Sequence, residues 1–475
     1  MTWPTARHPE RMLRDGFNVA FLALAAVATL GYLASDAEFL RYPGLMLLAG
    51  YLLTVSGLSA LARLLLLVAA LITALAWYQD ALNWTTFLAA ADRFAFFATF
   101  IVALGLLRIP AYRSRLVRHC GQAMLRQPPR QRYPILSAGS ALFGIIINIG
   151  VLNLFATMIE KSNTLKAANN RAWVQKVRRR RMIMALLRGF SLAPLISPMG
   201  IGVAVILSSM PTLGWHELVP LAWGAALLIY LLGWSVDAVT GPQPTAATRA
   251  SHQAPSLLPL VHFTLLMLAI VLLVFSLVWL LQIRLPIAAL LGAPLAACAW
   301  LLWQNRGLKT HGVMPTTRIL RRQLPWLLRP VGNEVVVLGV AGYIGVLTLF
   351  LIDVEASLHW LGFMLDWGVW NAVLAMLLVF GLAQVGINPI LTVTLLASLL
   401  PQLAVPGLSE AAIGVALLTG WTLALMSSPL TASMLIMSRL SGVSSFLIGY
   451  VWNRLFLLLA VPMLAMWFVL ADGWV

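Results

Sequence analysis

Charge is what this sequence has least of. Only 10% of its 475 residues are Asp, Glu, Lys or Arg, against about 25% in a soluble domain. Acidic residues are scarcer still, 15 against 32 Lys plus Arg. Cysteine is limited to Cys120 and Cys298, far apart in the chain, so neither a disulfide framework nor a Cys-based metal site is expected. The sequence has no His-x-x-x-His pair, no Gly-x-Ser-x-Gly elbow and no phosphate-binding Gly-Lys loop. Those absences disfavour soluble-type hydrolysis and ATP-driven transport. The chain is not expected to be an enzyme, and no cofactor is implied.

What fills the space is apolar. Hydrophobic residues make up 61% and the mean hydropathy is +0.90, the composition of an all-α, polytopic integral membrane protein of about 10–13 membrane segments. The net charge of +17 is not a nucleic-acid signature, because the basic residues cluster between apolar stretches, as they do in cytoplasmic loops. At 1.5 Å of rise per residue a spanning helix needs about 20 apolar residues. That rule predicts spans near 17–34, 42–59, 61–78, 84–107, 134–159, 214–235, 257–282, 285–304, 331–353 and 367–385, and a last apolar run at 443–470. The first stretch, followed by Asp36 and Glu38, reads as a retained span and not as a cleaved signal.

The segments 184–211 and 411–437 carry the same phrase. Gly189-Phe190-Ser191-Leu192-Ala193 runs on to Ser197-Pro198-Met199, and Gly420-Trp421-Thr422-Leu423-Ala424 to Ser428-Pro429-Leu430, at a constant offset of 231 residues. Eight of eleven positions agree in class. Proline lacks the backbone N–H and clashes with the preceding turn, so each helix is expected to break there. Phe143-Gly144 and Phe380-Gly381 each open a polar-spotted apolar stretch ahead of the phrase, with Asn148 and Asn153 in the first and Gln384 and Gly386-Ile387-Asn388-Pro389 in the second. An odd number of crossings separates the two copies, which predicts inverted repeats, each with a broken helix or re-entrant hairpin. The expected segments are 1–133, N-terminal helices and basic loop; 134–235, the first repeat core; 236–366, linking and scaffold helices; and 367–475, the second repeat core.

Counting Lys and Arg places 1–16, 108–133 (seven Arg) and 305–330 (five Arg and one Lys) on the cytoplasmic side. The basic arm at 160–188, with Arg178 to Arg181 and Arg188, falls outside by the same parity and conflicts with the rule.

A helix broken inside a membrane leaves N–H or C=O groups aimed into the gap. Backbone and hydroxyls would then build the site, without side-chain charge. The substrate-binding candidates are Ser191, Ser197, Pro198 and Gly200 in the first copy, and Thr422, Ser427, Ser428, Pro429 and Thr431 in the second. Asn388, beside a proline, joins them, and Arg439 is the candidate counter-charge. No acidic residue lies in either phrase, so proton coupling through a carboxylate there is not indicated. No metal ligand set is evident.

The layout resembles the ion transporter superfamily, which includes divalent anion/sodium symporters and the citrate and arsenite carriers. The resemblance is carried by Ile196-Ser197-Pro198-Met199-Gly200, by Ser427-Ser428-Pro429-Leu430-Thr431 and by the basic arm at 161–181. It implies two inverted halves, each with a hairpin whose tip holds serine, and a first hairpin that opens to the cytoplasm. Dicarboxylate symporters carry Ser-Asn-Thr at both tips, where this chain has Ser-Pro-Met and Ser-Pro-Leu. The expected function is secondary active transport of a small, anionic solute by alternating access in the bacterial inner membrane, driven by a sodium or proton gradient. Solute and membrane lipid are the expected partners, with a homodimer left open. The alternative is a non-transporting envelope scaffold or accessory subunit for polysaccharide or lipid assembly, docked through its basic segments.

Overall fold

The computed structural model describes residues 42, 46, 49, 58–80, 82–168, 170–241, 255–307, 312–351, 367–403 and 408–472. The span expected at 17–34 and most of 42–59 lie outside them. All regular structure among the described residues is helical. Among the described residues, seven helices are long and apolar enough to cross a membrane, and four shorter apolar helices accompany them. This is a multi-pass membrane protein.

In chain order the helices follow the capping and breaking signals of the sequence. α1 (Ala60–Tyr78) starts where Ser59 Oγ accepts from the Ala62 N–H, and α2 (Trp84–Leu106) where Asn83 Oδ1 accepts from Thr86. The basic segment expected as a loop instead folds into α3 (Arg108–Arg113) and α4 (Arg115–Leu125). The latter is amphipathic and buries Val117, Cys120 and Met124 beneath its arginines.

The span expected at 134–159 is corrected. It is two helices, α5 (Pro129–Ile147) and α6 (Gly150–Ser162), parted at Asn148, whose φ is +52°. Asparagine is among the residues that adopt a positive φ more readily than most. The arm forms α7 (Ala172–Ser191), which runs on after Leu192 into the single turn α8 (Ala193–Ile196). The chain then breaks at Ser197–Gly200 and resumes as α9 (Ile201–Ser209).

α10 (Trp215–Thr240), α11 (Leu258–Leu281), α12 (Leu285–Asn305) and the 39-residue α13 (Val313–Leu351) follow. α13 is helical from Val313, so the second half of the basic segment 305–330 is not a loop. α14 (Trp370–Gln384) ends before Gly386, whose φ is +97°. α15 (Pro389–Leu399) is capped by Asn388 with proline at its first position. α16 (Glu410–Ser427) begins on the Ser409 cap, breaks at Ser428-Pro429 and gives way to α17 (Ala432–Ser441). The final apolar run is also corrected. It opens with a π-helical turn, Leu447–Val451, and only from Arg454 becomes α18 (Arg454–Asp472).

The chain divides into two compact units, residues 1–110 with 287–357 and residues 111–286 with 358–475. In the first, α13 packs along α2 and α1, with Phe94, Phe97 and Phe100 fully buried. Leu64, Leu67 and Leu71 of α1 are left 56–70% exposed, a surface fitted to hydrocarbon. Both copies of the repeated phrase lie in the second unit. There α5 packs on α7 and α14 on α16; α6 packs on α7 and α15 on α16; α9 lies against α15 and α17 against α6.

Candidate functional site

The glycine that opens each phrase sits where two helices come closest. A Cβ on Gly189 would lie 2.1 Å from the Ser137 carbonyl oxygen of α5, and one on Gly420 would lie 2.5 Å from the Met376 carbonyl oxygen of α14. Backbone against backbone leaves no room for any side chain. These contacts hold α7 and α16 against their neighbours one turn or more before each break.

Both breaks follow the proline rule. The Ser197 N–H still bonds the Ala193 carbonyl, and the Ser428 N–H the Ala424 carbonyl; both serines then turn extended. Beyond each proline a new helix starts, α9 on Gly200 and α17 on Thr431, and in neither does a side chain cap the first N–H groups. Uncapped helix N-termini are electropositive and suited to anions.

Hydrogen bonding divides the predicted hydroxyls. Ser191 Oγ donates to the Leu187 carbonyl at 2.8 Å and Ser427 Oγ to the Leu423 carbonyl at 2.7 Å, ordinary bonds back to the preceding turn. Ser428 Oγ donates across to the Ala383 carbonyl at the end of α14, 2.7 Å away, and accepts from the Leu430 N–H. Thr431 Oγ1 donates to the Ser428 carbonyl at 2.8 Å. Ser197 Oγ and Thr422 Oγ1 have no partner among the described residues, although both residues are at most 1% exposed. A buried hydroxyl left unpaired costs about 1–3 kcal/mol. The two sit on touching elements, since α8 packs against α16 and the Leu418 side chain of α16 closes on Gly202 of α9.

Pro198 and Pro429 are buried and Gly200 half-buried, its N–H bonding the Ser197 carbonyl at 2.9 Å. Asn388 Oδ1 is spent on the Ile390 N–H as the cap of α15. Arg439 is exposed in the last turn of α17, which sets it apart from this buried group as a counter-charge.

Sequence reasoning passed over two groups. Thr392, on α15, is a third buried hydroxyl without a partner among the described residues. Arg188 is 4% exposed, and its Nε and Nη2 both donate to Asn453 Oδ1, at 3.0 and 2.8 Å. Asn453 Nδ2 in turn donates to the Met426 carbonyl, two residues before the second break. Arg188 Nη1 reaches Tyr133 Oη at 3.3 Å, and the guanidinium lies 4.4 Å from the Phe456 ring. The signal was an arginine inside the otherwise apolar run Met182–Leu192. Gln384 links Ser427 Oγ to Tyr450, whose Oη donates to its Oε1 at 3.0 Å.

No protein-family model matches the chain, and comparison with curated proteins gives no match. Among solved structures it is similar to the YdaH transporter of Alcanivorax borkumensis, described as having an unusual topology, at 15% identity and a TM-score of 0.47, over 81% of this chain and 87% of that one. The likeness is loose, and no function passes through it to this chain.

Proposed function

We propose that this chain is a secondary active transporter that moves a small anionic solute across the bacterial inner membrane by alternating access, driven by an ion gradient. One observation carries the reading: each phrase ends a helix early, leaves one hydroxyl buried and unpaired, and is followed by a helix N-terminus with no side-chain cap. Unpaired donors and electropositive helix ends are the chemistry that replaces the hydration of an anion. Ser197 and Thr422 are the hydroxyls that bind it, with Thr392 on α15, which packs against α9 and α16; Ser428 and Thr431 shape the second tip.

We read the two phrases as an inverted-topology repeat, the architecture in which paired interrupted helices form a transporter's site. Supporting this are the matched pairings of α5 with α7 and α14 with α16, and of α9 with α15 and α17 with α6. The close-packed glycines at the head of both phrases support it too.

The test is a thermal-shift screen of small anions on the purified protein, with and without sodium, followed by uptake into proteoliposomes. Ser197→Ala and Thr422→Val should each weaken the response to the selected anion about tenfold or more, the worth of a hydrogen bond to a charged group. Unchanged affinity and uptake in both variants would remove the proposed site.

A further inference from the structure

A cavity of about 370 Å³ opens between α7, α10 and α18, lined among others by Arg180, Arg181, Arg188, Asp237, Trp452 and Arg454. Four guanidiniums therefore share one carboxylate. That carboxylate is already engaged, because Arg181 holds Asp237 through Nε at 2.9 Å and Nη2 at 2.5 Å. Arg188 is committed to Asn453 and Tyr133. Arg180 and Arg454 remain, both exposed and neither within an ion pair among the described residues. Arg180 lies 5.7 Å from the Trp452 ring. Nearby, burial and the charges of Arg178 and Arg181 push the Arg132 guanidinium down to about 9, with Asp237 pulling the other way. The region carries more positive charge than its own residues neutralise.

The surroundings say what shape of anion fits. α10 ends at Thr240 and α18 begins at Arg454, so the cavity lies at the ends of two apolar helices, the level at which headgroups sit. The N-terminus of α18 adds its electropositive end. On the outer wall Val451, Leu455 and Leu458 are 44–63% exposed and form an apolar strip leading away from the arginines. Guanidinium pairs match the oxygens of a phosphate in a way that ammonium groups do not.

We propose that this cavity binds a phosphate group, that of an acidic phospholipid headgroup, with Arg180 and Arg454 on the phosphate and an acyl chain along Val451, Leu455 and Leu458. Basic pockets between membrane helices are suited to anionic lipid, and the apolar strip favours the lipid over free phosphate. The site is separate from the solute reading, since its lining includes none of the proposed solute residues Ser197, Thr422, Thr392, Ser428 and Thr431.

The experiment measures thermal unfolding of the full chain in a neutral detergent against added phosphatidylglycerol, phosphatidylcholine or inorganic phosphate. Phosphatidylglycerol should raise the midpoint saturably, and phosphatidylcholine should not. Arg180→Gln with Arg454→Gln should weaken the apparent affinity for phosphatidylglycerol about 25-fold, roughly fivefold for each basic residue at an anionic headgroup. Arg171→Gln, at an exposed position at the start of the arm, should leave it unchanged. Equal shifts with the two lipids, or an unchanged double variant, would overturn the site. A full shift with inorganic phosphate alone would overturn the assignment to lipid. Native mass spectrometry supplies a second readout: one retained acidic phospholipid in the wild type and none in the double variant supports the site, and equal retention sinks it.

Discussion

The two Ser-Pro breaks are spelled alike and finished differently. At the serine before proline, the first copy leaves Ser197 without a partner among the described residues, while the second ties Ser428 to the Ala383 carbonyl. At the hydroxyl two residues after glycine the pattern reverses: Ser191 bonds the preceding turn and Thr422 bonds nothing among the described residues. Each copy therefore contributes one open hydroxyl, from opposite ends of the phrase. On the proposed repeat, duplication would supply two equivalent breaks, and divergence would decide which hydroxyl in each became structural. A single composite site asks for this outcome more than two independent sites do.

The comparison is broken most severely at what the copies share. Gly189→Ala drives a methyl into the Ser137 carbonyl and Gly420→Ala drives one into Met376, with the first approach the closer. Overpacking of this kind costs typically 1–3 kcal/mol and more where backbone must move. Both variants should show lowered unfolding midpoints and poor yield, Gly189→Ala the more so. Equal tolerance of alanine at both positions would mean that the glycines do not mark equivalent crossings.

The residue before each glycine sharpens the contrast next. Arg188 in the first copy is replaced by Thr419 in the second. Arg188→Met would strand Asn453 Oδ1 in a buried setting, at about 1–3 kcal/mol for a buried group left unsatisfied. Thr419 bonds back to the Val415 carbonyl, and Thr419→Val should cost no more than about 1 kcal/mol. Urea titration of the two variants in mild detergent measures the difference.

How much of this was legible beforehand depended on where the partners came from. The breaks at Pro198 and Pro429 were readable because proline acts on its own helix. The break at Asn148 was not, since asparagine adopts a positive φ only when its surroundings require it. Burial of Arg188 was hidden by the arginines before it in the same arm. Which hydroxyls stay open was beyond reach, because the Ser428 partner belongs to another helix, 45 residues away in sequence. Candidates could be named from residue type, but their pairing is a tertiary property.

Within the serines the effects are smaller and separable. Ser428→Ala removes the donor to Ala383 and should cost about 1–2 kcal/mol of stability. Ser197→Ala removes no bond within the protein, so its midpoint should stay close to that of wild type while anion-dependent stabilisation falls. A stability loss at Ser197 equal to that at Ser428 would mean that the first tip is also structural.

At Thr422 a small change in stability is expected, and its sign is the informative part. With no partner among the described residues and no exposure, its hydroxyl is desolvated without return in the unliganded protein. Thr422→Val keeps the branched shape and removes the unpaired group, so the unliganded protein should become more stable by up to about 1 kcal/mol. The liganded protein gains nothing, because the variant has lost a donor to the anion; the ligand-induced shift should therefore shrink from both ends. Ser191→Ala, at the matching position of the first copy, should lower stability by about 1 kcal/mol, the worth of its bond to the Leu187 carbonyl, and leave the anion response unchanged. A destabilised Thr422→Val with an undiminished anion response would make Thr422 an ordinary core residue, and the asymmetry between the copies would then rest on Ser197 alone.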